Sequence, residues 1–262
     1  MAEKQISFIS AWDIRSDMFV TIRYLLVPSL CMFLLVQCRK EHCLAAAGTL
    51  IRTERAATPF KEIDISDNIN LVLTQDTVEK IAVEAGSSLA PNITTTIRNN
   101  TLFIRNESSC KWLRSPAEKI TVYVSVKDLV RLTYNASGNV TTTNTLKADG
   151  ITFYTDEGAG NIDIDLEAKR TYTYIYNDNT DMIFRGSSDS CYAYTGERGT
   201  IDFRDFVVKH QTVGYGSIRD GFVHATSSLH VIMYFKGTLY YKGTPQLVTM
   251  EQLSTGTITP FR

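Results

Sequence analysis

Apolar and polar residues alternate along much of this chain with a period of two, the signature of strands with one buried face. Ile63 and Ile65 alternate with acids, and Ile69, Leu71 and Leu73 alternate with Asn70, Val72 and Thr74. Ile81 and Val83 continue the pattern. Ile93 to Ile97 and Leu102-Phe103-Ile104 read as two strands joined by Asn99-Asn100. An Asn pair tolerates positive φ and suits a hairpin turn. Ile120, Val122, Val124 and Val126 form the cleanest alternating run.

After Leu129 the texture changes. A unit recurs: a turn containing Gly or Asn, a small polar residue, then an apolar residue that opens a short strand. The copies are Gly138-Asn139-Val140, Gly160-Asn161-Ile162, Thr180-Asp181-Met182, Gly199-Thr200-Ile201, Gly216-Ser217-Ile218, Gly237-Thr238-Leu239 and Gly256-Thr257-Ile258. They follow one another at roughly 17–22 residues, an interval typical of solenoids. The Leu-x-x-Leu-x-Leu frame of leucine-rich repeats is absent, as is the 3.6-residue period of helical repeats. A parallel β-helix fits, with Ile162, Met182, Ile201, Ile218, Leu239 and Ile258 stacked as one inward ladder. Ile164, Phe184 and Phe203 extend it. Each such side chain contributes roughly 1.5–3 kcal/mol on burial, and no coil can bury its face without its neighbours. The competing fold is an antiparallel sandwich or barrel in which the glycines mark hairpins. The expected fold class is therefore all-β: a right-handed parallel β-helix-like solenoid, its N-terminal strand region packed as a cap. Pro260-Phe261-Arg262 is placed to close the other end.

The N-terminus carries a different signal. Arg15 and Arg23 precede an apolar run from Tyr24 to Val36. That run matches the core of a signal peptide, roughly 7–15 residues, and falls short of the roughly 20 that a membrane span requires. It ends in Leu35-Val36-Gln37-Cys38, which resembles a bacterial lipobox, relaxed at Gln37 as in Bacteroides-type bacteria. Residues 1–37 are accordingly expected to be a signal peptide, with Met18 the more typical start. Cys38 is the expected lipidation site; its two acyl chains would anchor the protein to a membrane. An uncleaved anchor and a different secretory signal are the alternatives. Residues 38–58, rich in Ala and Arg, read as a tether, and residues 59–262 as a single domain.

Charge adds exclusions. Lys and Arg number 27 against 28 Asp and Glu, for a net charge of -1, and the signs are interspersed. With no basic block, no nucleic-acid partner is expected. Of the five cysteines, Cys31 falls in the signal and Cys38 is the lipid site. Cys43, Cys110 and Cys191 remain, compatible with one disulfide and a free thiol or with three unpaired thiols. No zinc-like spacing is present, so neither a metal nor a cofactor is expected.

Acids recur at Asp163, Asp165, Asp181, Asp202, Asp205 and Asp220. Lyases built on β-helices gather carboxylates around calcium, which needs several oxygens converging on one point. Here Asp163 and Asp202 share a repeat position, but Ile183 occupies it between them. Arg185, Arg204 and Arg219 interleave, the pattern of a solvated face. His42, His210, His224 and His230 have no Ser or Cys nucleophile pattern beside them. Nucleophile-elbow and phosphate-loop motifs are absent. No catalytic residue is assigned, and the protein reads as a non-enzyme. Tyrosines are the remaining candidates. Tyr172, Tyr174 and Tyr176 alternate on one strand, and Tyr192, Tyr194, Tyr215, Tyr234, Tyr240 and Tyr241 follow in later coils. An exposed stripe would suit glycan stacking or protein contact, while aromatic ladders also serve as strand filler. Trp112, in a loop between two strands, is a further candidate anchor.

Several stretches together are similar to the putative auto-transporter adhesin, head GIN domain family. They are Val126-Lys127-Asp128-Leu129-Val130-Arg131-Leu132, Ser137-Gly138-Asn139-Val140, Glu157-Gly158-Ala159-Gly160-Asn161-Ile162 and the terminal Gly237-Thr238-Leu239-Tyr240-Tyr241-Lys242-Gly243-Thr244-Pro245. Phe60-Lys61-Glu62-Ile63 and Leu102-Phe103-Ile104 match the family's opening pattern. The resemblance runs from about Pro59 to the end. It implies a lipid-anchored or secreted envelope protein of Bacteroidetes with a β-helical body, and it brings no catalytic residues. The expected function is a putative adhesin at the outer membrane that presents a β-helical face to a surface glycan or protein. The alternatives are a polysaccharide lyase or hydrolase on a β-helix, and a structural envelope component.

Overall fold

The structure is a computed structural model that describes residues 47–108, 119–177 and 179–261. The first ten strands are β1 (Leu50–Arg55), β2 (Glu62–Asp67), β3 (Asn70–Gln75), β4 (Lys80–Gly86), β5 (Ile93–Arg98), β6 (Thr101–Asn106), β7 (Thr121–Val126), β8 (Arg131–Ala136), β9 (Val140–Thr142) and β10 (Leu146–Thr155). Longer strands follow: β11 (Asn161–Ile175), β12 (Asp181–Thr195), β13 (Thr200–Tyr215) and β14 (Gly221–Met233). The last three are β15 (Thr238–Lys242), β16 (Leu247–Gln252) and β17 (Thr257–Pro260). Among the described residues there is no α-helix.

From β8 onward every pairing is parallel, which makes the body a β-solenoid. One long bent strand and one turn form each central coil. In β11, Ile162, Ile164 and Leu166 point inward along the first half, and Thr171, Thr173 and Ile175 along the second. The inward phase slips between them, at residues 167–170, where the strand rounds a corner. The second halves of β10 to β14, continued by β16, make one face; the first halves of β11 to β14, continued by β15 and β17, make the other. In β12 the corner falls at Gly186, φ 108°, whose absent Cβ would lie 2.2 Å from the Leu166 carbonyl oxygen. Only glycine lets successive coils close there.

The inward ladder forms largely as expected. Ile162, Met182 and Ile201 are in register and fully buried, and so is Leu239 further along. Ile258 is only partly buried, against the last coil. Ile218 is the exception, being 50% exposed. Its expected place is held by Gly221, which pairs with Leu239, because residues 216–220 form the turn and the ring of Tyr215 fills the space a side chain would take. Ile164, Phe184 and Phe203 stack next to the ladder, the two phenyl rings at 4.7 Å. A register shift in β13, where Ile183 pairs with Asp202 but Arg185 with Asp205, adds a residue and drives Phe206 into the same core, 5.7 Å from Phe184. A bulge of this kind re-aims a side chain at the cost of one unpaired residue.

At the N-terminal end the chain does not stack in sequence order. β2 lies between β6 and β8, and β3 between β7 and β9, all parallel. The first coil of the chain is therefore the second in space, and the later β6–β7 coil is wrapped outside it. The cap proper is antiparallel: β5 on β6, β4 on β7 and β1 on β4. Asn99 and Asn100, at φ 50° and 67°, turn β5 into β6 as the Asn pair predicted. The segment read as a tether needs correction, because Leu50–Arg55 is a strand. Both of its faces are largely exposed, so it lacks the apolar alternation that would have marked it. At the other end Phe261 donates its backbone N–H to the Tyr241 carbonyl at 2.7 Å and lays its ring against Phe222 and Tyr240.

A tyrosine face on the solenoid

Along the second half of each central coil, every other residue faces solvent, and register decides which ones share a row. One outward row reads Thr152, Tyr172, Tyr192, Thr212 and His230 across β10 to β14. The next reads Tyr154, Tyr174, Tyr194, Gly214 and Ile232. Tyr176 and Tyr234 stand just past the ends of β11 and β14.

Six of these rings touch in a diagonal series. Tyr154 meets Tyr176 at 5.4 Å, Tyr174 lies parallel to Tyr176 at 6.2 Å, Tyr174 meets Tyr192 at 5.6 Å and Tyr176 meets Tyr194 at 5.2 Å. Tyr194 reaches Tyr234 edge to face at 6.0 Å. The centroid separations are those favoured by the ring quadrupole. The coil between them contributes Gly214, and a Cβ there would come within 3.1 Å of both the Tyr194 and the Tyr234 ring. Glycine at that position keeps the series continuous. Partial burial against one another raises the phenols of Tyr174, Tyr192 and Tyr194 above their ordinary pKa, with neighbouring tyrosines adding to it. These three phenols therefore stay uncharged at physiological pH. The Arg131 guanidinium lies 5.7 Å from the Tyr154 ring and marks one end of the series.

Beside the rings is a hollow of about 430 Å³ lined by Tyr176, Asn177, Tyr194, Gly196, Glu197 and Arg198. It sets an aromatic wall against an amide, a carboxylate and a guanidinium. Asn177 also donates to Asp156 at 3.0 Å.

Of the residues singled out in the sequence, Tyr174 and Tyr176 are central to this face, and Tyr192, Tyr194 and Tyr234 join them in the ring series. Tyr172 stands on the same strand, 38% exposed, outside the ring contacts. Tyr215 is fully buried, its hydroxyl donating to the Arg219 carbonyl at 2.9 Å. Tyr240 belongs to the opposite face, stacked on Phe222 at 5.2 Å. Tyr154, its role unmarked in the sequence, follows the buried Phe153, and an alternation count from that residue would have found it. Cys31, Cys38, His42, Cys43, Cys110 and Trp112 lie outside the described residues. Cys191 is a buried free thiol, pushed up to about 12 by burial and so unreactive.

The acids do not converge. Arg185 pairs with both Asp163 and Asp165, the latter at 2.9 Å. Arg204 grips Asp202 through Nε at 2.8 Å, holding that carboxyl below the usual range, and covers the Phe222 ring at 4.4 Å. Arg219 takes Asp181 at 2.8 Å. No group of three His, Cys, Asp or Glu side chains is placed to hold a metal among the described residues. His210 and His230 bond to Ser228 and Thr249, and His224 to the Arg204 carbonyl.

Residues 59–245 match the model of a family described as putative auto-transporter adhesin, head GIN domain. No curated protein matches the chain in sequence. Among solved structures, a putative adhesin from Bacteroides fragilis superposes with a TM-score of 0.73 at 19% identity, covering 81% of this chain and 97% of its own. A putative adhesin from Parabacteroides distasonis gives 0.63 at 17% identity, covering 82% and 98%. A protein from the same organism described as a putative lipid binding protein gives 0.59 at 15% identity, again over 82% and 98%. At these identities the likeness is one of fold.

Proposed function

This chain belongs to the putative auto-transporter adhesin, head GIN domain family, and on that footing we propose that it is a non-enzymatic binding protein of the cell envelope whose tyrosine face is the contact surface. The observation that carries this reading is the unbroken series Tyr154, Tyr174, Tyr176, Tyr192, Tyr194 and Tyr234. Core tyrosines bury their rings, as Tyr134 and Tyr215 do. These six instead line the outside of a rigid sheet, where phenol rings supply apolar contact area and a hydroxyl at little entropic cost. A surface glycan is the ligand class this suits, since sugar rings offer C–H faces to the phenols and hydroxyls to the adjoining hollow.

Anchoring through a lipidated Cys38 would hold this face at the outer membrane. The acids of the opposite face do not support a lyase, because Asp163, Asp165, Asp181 and Asp202 are each engaged by an arginine. A glycan array probed with wild-type protein and a Tyr174→Ala/Tyr194→Ala variant tests the reading. Loss of most binding by a variant that still unfolds cooperatively, with its melting temperature lowered only by the lost ring contacts, is the expected result; equal binding by both proteins would dispose of it. Intact-mass analysis of the protein purified from its native membrane tests the anchor, which predicts a diacylated N-terminal Cys38.

A further inference from the structure

We infer that the ligand of this face is an uncharged, linear oligosaccharide that lies across the strands, parallel to the solenoid axis, rather than a single terminal sugar. This rests on the tyrosine face being a glycan site and adds direction, length and charge to it.

Direction comes from the order of the rings. Tyr154 is on β10, Tyr174 on β11, Tyr192 and Tyr194 on β12, and Tyr234 follows β14. The series therefore advances from coil to coil instead of running along one strand. Neighbouring strands lie about 4.8 Å apart, so the four steps from β10 to β14 span about 19 Å, on the order of three to four pyranose rings in line. Ring platforms recurring at the coil spacing match a ligand that itself repeats. Gly214 matters here, because the coil without a tyrosine is the one where a side chain would have interrupted the platform.

Charge follows from the rows. Between Thr133 and Ile232 the central row holds Tyr154, Tyr174, Tyr194 and Gly214, and the flanking row holds Thr152, Tyr172, Tyr192 and Thr212. From β10 to β13 neither row carries an acidic or basic side chain; Arg131 and His230 close the flanking row at its two ends, and Glu251 lies beyond Ile232 in the central row. At the side hollow, Glu197 and Arg198 offer one acceptor set and one donor set of opposite sign. That combination suits neighbouring hydroxyls of a neutral sugar better than a carboxylate. A peptide joining by strand addition needs a free sheet edge, whereas this platform is a sheet face.

Isothermal titration of the whole chain with neutral gluco-, galacto- and manno-oligosaccharides, from disaccharide to hexasaccharide, tests the inference. In at least one series, affinity should climb about tenfold or more from disaccharide to tetrasaccharide and then level off. Tyr192→Ala should weaken every length from the trisaccharide upward. Tyr234→Ala, at one end, should weaken only the tetrasaccharide and longer, a length-dependent split that general destabilisation would not produce. Binding of a monosaccharide or disaccharide as tightly as a hexasaccharide would overturn the inference while leaving a glycan-binding face intact. Preference for uronic-acid oligomers over neutral ones, or for a polyproline peptide over both, would also overturn it. Absence of binding to every glycan would overturn this inference and the proposed function together.

Discussion

Tyr194 and Tyr234 meet edge to face at 6.0 Å although they come from coils that are not adjacent. The coil between them reaches the surface at Gly214, where there is no side chain to part them. A Gly214→Val substitution should therefore separate the rings. One aromatic pair is worth about 0.5–1.5 kcal/mol, so stability should fall by about 1 kcal/mol in urea unfolding. Ligand affinity should fall further, because the platform is cut in the middle. A valine variant with wild-type affinity would mean that the rings act independently.

Gly221 makes a second prediction. A Cβ there would lie 2.5 Å from the Tyr215 hydroxyl oxygen and 2.6 Å from a ring carbon. Overpacking a filled core costs about 1–3 kcal/mol, so Gly221→Ala should lower the urea midpoint accordingly. Tyr215→Val alone should also destabilise. The double variant should lose less than the sum, since the added methyl enters the space the ring vacates. Strict additivity would show that the two positions do not share that space.

Alkaline pH should unfold the protein through two buried groups. Tyr215 and Cys191 are both pushed up to about 12 by burial, against ordinary values near 10 and 8.5. A raised folded-state pKa means that stability is complete below the unfolded value and drains away as pH rises toward the folded one. Loss should therefore begin near pH 9 and run to about 12, Tyr215 accounting for about 3 kcal/mol and Cys191 for about 5 kcal/mol. Tyr215→Phe should remove the part above pH 10, and Cys191→Ala the part that begins earlier. Denaturant titrations at stepped pH check both. Cys191 should also resist thiol reagents until the chain unfolds.

Truncation should discriminate between the first two strands. A chain starting at Pro59 loses β1, whose side chains are mostly exposed, and should fold with a lowered melting temperature. A chain starting at Asn68 loses β2, whose Ile63 and Ile65 are fully buried between two coils. It should fail to fold cooperatively, as judged by calorimetry.

The solenoid was legible because its inward positions repeat. Ile162, Met182 and Ile201 announce the coil length, and Asn99-Asn100 announces its turn. Ile218 misled because the repeat pattern counts residues, while the structure counts coils: a longer turn after Tyr215 carried the ladder on to Gly221. Leu50–Arg55 was missed because a strand exposed on both faces has no alternation to read. The site was half legible. Tyr174 and Tyr176 declared themselves by their spacing on one strand. Tyr192, Tyr194 and Tyr234 stand out as tyrosines of later coils alongside Tyr215 and Tyr240. Which of these share the face, and that Tyr154 joins them, is decided by register, and register between coils is fixed by corners and bulges that leave little local mark. Gly214 could be understood only once the rings above it were known.

A solenoid can in principle grow by adding one finished coil to the next, so that each new segment finds its template already in place. This one cannot begin that way. The β2–β3 coil is made first, yet both of its neighbours, β6–β7 and β8–β9, come later in the chain. Residues 62–75 must wait, with two open strand edges, until residues 101–142 arrive to close over them. Contacts of such long sequence separation form slowly. The earliest part of the domain to leave a ribosome or a translocation pore would thus be among the last to become protected from hydrogen exchange, and the part most in need of a chaperone in the interval.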